Sequence, residues 1–126
     1  MDTRLRQSLL YDFYGELLNE HQKEVFSAAI FDDMSYSELA EEYGVSRQAA
    51  FDLVRRINKK LERYEESLGL LNRFTVARDK MDELTQSVES LKDMLRTSDI
   101  DSKISRSLSK QLDNISGEAK EVFDSF

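Results

Sequence analysis

The side chains with the most chemistry to offer are cationic, and they are concentrated. Residues 47–80 carry 9 basic and 5 acidic groups, against 3 and 10 in residues 1–46 and 6 and 10 in residues 81–126. The whole chain is acidic, with a formal charge of −7, which argues against a protein that coats nucleic acid indiscriminately. The one basic block opens at Arg47. If it is helical, about 100° per residue turns Ala50, Leu53, Val54, Ile57 and Leu61 inward and Gln48, Asp52, Arg55, Arg56, Lys59 and Arg63 outward. Four of those six outward residues are cations suited to phosphate oxygens. Phe51 falls on the flank of this face, where it can pack on preceding helices or stack on a base or a protein partner.

The other reactive residue types give nothing to build with. Cysteine is absent, which excludes disulfides, thiolate metal sites and thiol nucleophiles. His21, the single histidine, sits at a helix start between Glu20 and Glu24 and has a surface or capping role. The carboxylates lie on solvated helix faces without a histidine partner, a glycine-rich phosphate loop or a metal-ligand cluster. No enzyme activity, cofactor or metal is expected.

What must position the basic face is a pair of helices meeting at a corner. Ser35 and Glu38 form a capping box that opens a short helix. Gly44 can take the left-handed conformation that ends it, and Val45 can plug the angle between the two helices. Ser46 caps the next helix, and the small Ala40 lets the two cross at close range. Leu39, Tyr43, Val45, Ala50, Leu53, Val54 and Ile57 then face one another across the crossing. The stretch from Ser35 to Ile57 is thus a helix-turn-helix.

No proline, scarce glycine and abundant charge favour nearly continuous helix, so the fold class expected is all-α. Leu5, Leu9, Leu10, Phe13, Tyr14 and Leu17 predict a first helix over Arg4–Leu18. Asn19 caps a second, from Glu20 to Phe31, with Val25, Phe26, Ala29 and Ile30 on one side, and Asp32, Asp33 and Met34 link it to the motif. The second motif helix runs from Arg47 to Leu68, its seam continuing through Ile57, Leu61, Tyr64, Leu68 and Leu71. At Gly69 the apolar register slips, predicting a break. A new seam, Leu70, Phe74, Ala77, Met81, Leu84, Val88, Leu91 and Leu95, alternates four and three, so the helix from Asn72 to Arg96 is a coiled-coil candidate. After a polar turn at residues 97–102, Ile104, Leu108, Leu112, Ile115, Ala119, Val122 and Phe126 form a last stripe. The two final helices can close as a hairpin or pair with a second chain. The domains expected are a helix-turn-helix domain, 1–70, and a helical extension, 71–126, that makes a homodimer through the stripe from Phe74 to Leu95. No apolar run is long enough to cross a bilayer and the N-terminus is no signal peptide, so a soluble cytoplasmic protein is expected.

The segment LNEHQKEVFSAAIFDDMSYSELAEEYGVSRQAAFDLVRRINKKLERYEESLGLL resembles the helix-turn-helix of bacterial sigma-factor region four, and within that group the YlxM family, small bacterial proteins encoded beside the signal recognition particle GTPase. The residues that carry it are Glu38-Leu39-Ala40-Glu41, Gly44-Val45-Ser46-Arg47-Gln48-Ala49 and the run from Glu62 to Leu71, and it covers about residues 1 to 75. The resemblance implies a sigma region-four-like bundle and a nucleic-acid-binding regulator linked to the signal recognition particle pathway. It places Arg47 and Gln48 as base readers, on guanine and adenine respectively, and Arg55, Arg56, Lys59 and Arg63 as phosphate contacts. The partner it implies is DNA or the particle's RNA, with the targeting GTPase as a protein partner. Asp52, one turn beyond Gln48, repels phosphates unless it pairs with Arg55 or Arg56 or accepts from a cytosine amine. Glu38, Glu41 and Glu42 add negative charge to the helix that should cross the DNA backbone. The alternative function is a protein-interaction adaptor that uses the helix-turn-helix as a scaffold and binds through Phe51 and the C-terminal helices.

Overall fold

The computed structural model describes residues 2–125. Its helices are α1 (Thr3–Tyr14), α2 (Glu20–Ile30), α3 (Tyr36–Tyr43), α4 (Arg47–Leu68), α5 (Leu70–Arg96) and α6 (Ser102–Asp124), with a 3-10 turn at Gly15–Leu17. No strand occurs among the described residues. The architecture is all-α, and the chain separates into two units between Asn72 and Arg73.

In the first unit the corners are made where capping chemistry demands. Asn19 accepts from the Gln22 N–H while the Gln22 side chain accepts from the Asn19 N–H, a reciprocal box that opens α2. Ser35 and Glu38 do the same for α3, and Ser46 accepts from the Ala49 N–H to open α4. Gly44 ends α3 at φ 65° and Gly69 ends α4 at φ 64°, both left-handed. A Cβ at either glycine would meet nothing within 4 Å, so there the backbone conformation alone calls for glycine.

Four helices then bury one core. Leu10 and Tyr14 of α1, Val25 and Phe26 of α2, Leu39 of α3, and Ala50, Val54, Ile57 and Leu61 of α4 are all buried, and Leu71 from the first turn of α5 joins them. Phe26 stacks on Tyr11 at 5.1 Å and meets the Phe31 ring edge-on at 6.3 Å. Two polar ties hold α1 to α4. Arg6 makes a two-pronged ion pair with Glu62, both contacts 2.8 Å. Its hydrogen bonds hold the Glu62 carboxyl below the usual carboxylate range. The Tyr14 hydroxyl donates to Glu65 at 2.6 Å and accepts from the Leu70 N–H. Glu65 in turn accepts from the N–H groups of Leu71 and Asn72, so the carboxylate that ends one helix caps the next. Burial, and then the bond to Glu65, push the Tyr14 phenol above its ordinary pKa.

Several expectations need correcting. The first helix stops at Tyr14, not Leu18, because the chain tightens into the 3-10 turn and leaves Leu17 exposed. Leu5 is exposed as well. Val45 does not plug the corner: it is exposed, and its contribution there is a backbone N–H bonded to the Ala40 carbonyl. Leu68 is exposed while Leu71 is buried, and α5 starts at Leu70 rather than Asn72.

In the second unit α5 and α6 form an antiparallel hairpin, with Phe74 against Phe123 at 5.3 Å and an ion pair between Lys92 and Asp113. Asp101 accepts from the Lys103 N–H at the start of α6. Val88 and Leu95 of the α5 seam are buried, whereas Leu84 and Leu91 stay exposed. In α6 the stripe expected from the sequence is divided: Leu112 and Ala119 are half-buried, whereas Ile104, Leu108, Ile115 and Val122 are exposed. Phe126, expected to end that stripe, lies outside the described residues.

Candidate nucleic-acid interface

Helix α4 carries both the core of the first unit and the candidate binding face. Ala50, Val54, Ile57 and Leu61 recur at four-three spacing and are buried, with Leu53 half-buried, which fixes the rotation of the helix about its axis. Arg47, Gln48, Arg55, Arg56, Lys59 and Arg63 are then all exposed. Arg55, Lys59 and Arg63 follow one another at every fourth residue, about 6 Å apart along the axis, in a ladder that can meet successive phosphates.

The structure gathers some of these residues and separates others. Arg55, Arg56 and Lys59 line one shallow depression together with Asp52, and Arg63 stands one turn beyond Lys59. Arg47 lies elsewhere, at the rim of a cleft of about 560 Å³ shared with Arg4, Gln7, Met34, Tyr36 and Ser37. Phe51, 38 % exposed, meets the Tyr36 ring edge-on at 5.2 Å, so it packs on α3 with part of its ring free. His21 is exposed and lies edge-on to Tyr43 at 5.5 Å.

Charge pairing divides the cations of this unit into two groups. Arg4 pairs with Asp33, Arg6 with Glu62 and Lys23 with Glu16 and Glu20, while Lys60 donates to the Gln22 side chain. Among the described residues Arg47, Arg55, Arg56, Lys59 and Arg63 form no ion pair. Asp52 does not pair with Arg55 or Arg56; its carboxylate accepts instead from the Gln48 amide at 3.2 Å. The residue expected to read adenine is therefore already engaged by its neighbour one turn on, a spacing of four that the sequence displays. On α3, Glu38, Glu41 and Glu42 surround a hollow beside Met34, so the first helix of the motif presents an anionic face.

No helix among the described residues is long and apolar enough to cross a membrane. Residues 1–113 match the profile of the UPF0122 family, described as "Putative helix-turn-helix protein, YlxM / p13 like". A UPF0122 protein of Shouchella clausii is 43% identical over 90 residues, 71% of this chain and 83% of the relative. One from Halalkalibacterium halodurans is 41% identical over 99 residues, 79% of this chain and 87% of the relative. A third, from Geobacillus kaustophilus, is 41% identical over 95 residues, 75% of this chain and 80% of the relative. With its capped corner, its left-handed Gly44 and that breadth of match, the chain belongs to the UPF0122 family of YlxM/p13-like helix-turn-helix proteins.

Proposed function

We propose that this protein is a non-enzymatic regulator that binds nucleic acid through the outward face of α4, in the setting of the signal recognition particle, with DNA or the particle's RNA as target. The observation that carries the reading is the contrast in pairing. Arg4, Arg6 and Lys23 are neutralised by acids, whereas five cations on α4 are exposed and form no ion pair among the described residues. Unneutralised cations on a helix can neutralise phosphates and displace the counterions condensed on the nucleic acid, which is where non-specific affinity comes from. The Gln48–Asp52 bond and the acidic α3 oppose base reading and close duplex docking, so phosphate contact by Arg55, Arg56, Lys59 and Arg63 outweighs readout by Arg47 and Gln48.

The test is a salt titration of binding to the particle's RNA and to duplex DNA, with Arg55→Ala/Lys59→Ala beside the native chain. Each phosphate contact removed lowers the slope of log K against log salt by about 0.9 on duplex DNA and about 0.7 on single strands. The double variant is expected to bind more weakly, with a slope smaller by about 1.4 to 1.8. Unchanged affinity and slope would overturn the assignment.

A second reading is a protein-interaction adaptor that contacts the targeting GTPase and keeps the helix-turn-helix as a scaffold. The acidic hollow on α3 and the exposed part of Phe51 favour it. Capture of the GTPase that survives nuclease treatment and the Arg55→Ala/Lys59→Ala change would select this reading over the first.

A further inference from the structure

Helix α6 has two faces, and the one it packs is the less apolar. The half-buried positions are Ser105, Ser109, Leu112, Ser116, Ala119 and Phe123, a regular four-three seam of which three members are serines. One residue earlier in register, about 100° around the helix, lie Ile104 (53 % exposed), Leu108 (41 %), Ile115 (45 %) and Val122 (66 %). Leu108, Ile115 and Val122 are spaced at sevens, the period of a coiled-coil seam. Serines packed inward and branched aliphatics left outward, over nearly the full helix, describe a surface that a partner covers.

The charges of α6 identify the partner. Its first half contains Lys103, Arg106 and Lys110 and no acid; its second half contains Asp113, Glu118, Glu121 and Asp124 with Lys120 as the one cation. Among the described residues Asp113 is the α6 charge engaged in an ion pair. A helix basic at one end and acidic at the other is complementary to its own reverse. We infer that the outer face of α6 is a self-association surface, occupied by α6 of a second copy of this chain packed antiparallel about a two-fold axis.

In that arrangement Ile104 faces the second copy's Val122, Gln111 its Ile115 and Leu108 its Glu118, each layer recurring once by symmetry. Lys103 comes opposite Glu121 and Asp124. Gln111 and Glu118 occupy seam positions, where polar side chains weaken a coiled coil but fix its register and direction. A parallel pairing would set Lys103 on Lys103, Lys110 on Lys110 and Glu121 on Glu121. The surface differs from the α5 stripe expected from the sequence, of which Val88 and Leu95 are buried within the hairpin.

Sedimentation of the native chain tests the association and cross-linking tests its direction. The native protein is expected to sediment at twice its chain mass at micromolar concentration. Leu108→Asp with Val122→Asp is expected to sediment as a monomer while keeping its helical circular dichroism. Since the chain has no cysteine, Ile104→Cys and Val122→Cys supply single thiols. Under mild oxidation their mixture is expected to form an interchain disulfide between the two variants, and Ile104→Cys alone none. A native protein that stays monomeric across the concentration range, or an Ile104→Cys variant that cross-links to itself as readily as to Val122→Cys, would overturn the inference.

Discussion

Replacing Phe26 by alanine is expected to remove about 3–5 kcal/mol of the stability of the helix-turn-helix unit. The ring is fully buried, stacks on Tyr11 at 5.1 Å and meets Phe31 edge-on, so its loss leaves a void in the aromatic cluster between α1 and α2. Domains of this size have about 5–15 kcal/mol in hand, and a chain without cysteine has no disulfide to fall back on. Urea unfolding followed by circular dichroism measures the effect, with the midpoint falling and the slope unchanged. A loss under about 1 kcal/mol would show that the α1–α2 interface is not the centre of this core.

The second large effect is expected at Glu65. Glu65→Ala takes the acceptor from the Tyr14 hydroxyl, whose residue is fully buried, and from the Asn72 N–H in the first turn of α5. Stranding a buried donor costs about 1–3 kcal/mol, and bonds to a charged acceptor lie at the upper end, so a loss of about 2–3 kcal/mol is expected. Tyr14→Phe should cost less, about 1 kcal/mol, because it removes the hydroxyl that Leu70 donates to but leaves Glu65 with its two backbone donors. Chemical denaturation of both variants gives the order, and Tyr14→Phe proving the worse would place the weight of this junction on the phenol.

The motif was legible because its determinants are local. A capping box needs two side chains three residues apart, and a left-handed helix end needs a glycine, so Ser35, Glu38, Gly44, Ser46 and Gly69 could be placed without knowing what packs on what. The bounds of α4 followed from the same residues. Long-range polar contacts were not legible: Glu65 looks like any other acid on a helix face until Tyr14, 51 positions earlier, arrives beside it. Leu17 was misplaced because the 3-10 turn breaks the period on which its placement rested.

The candidate site divides in the same way. The outward rotation of the cations followed from the buried side of the helix, and eight residues of helix set Arg47 about 12 Å along the axis from Arg55. The cleft that Arg47 shares with Arg4, Met34 and Tyr36 depends instead on how the preceding helices pack around the start of α4. For α6, periodicity gave the helix and part of its packed face, Leu112 and Ala119, but turned Ile104, Leu108, Ile115 and Val122 the wrong way. Its apolar residues occupy two adjacent stripes, and α5 takes the one richer in serine.

The contact between Tyr14 and Glu65 also makes the protein its own optical reporter. The chain holds five tyrosines and no tryptophan, so its near-ultraviolet emission is tyrosine emission alone. A phenol becomes a stronger acid on excitation, and the Glu65 carboxylate at 2.6 Å from the Tyr14 hydroxyl is an acceptor for its proton. Tyr14 emission is therefore expected to be quenched while its hydroxyl is bonded to Glu65, so that Glu65→Ala raises the tyrosine emission of the folded protein.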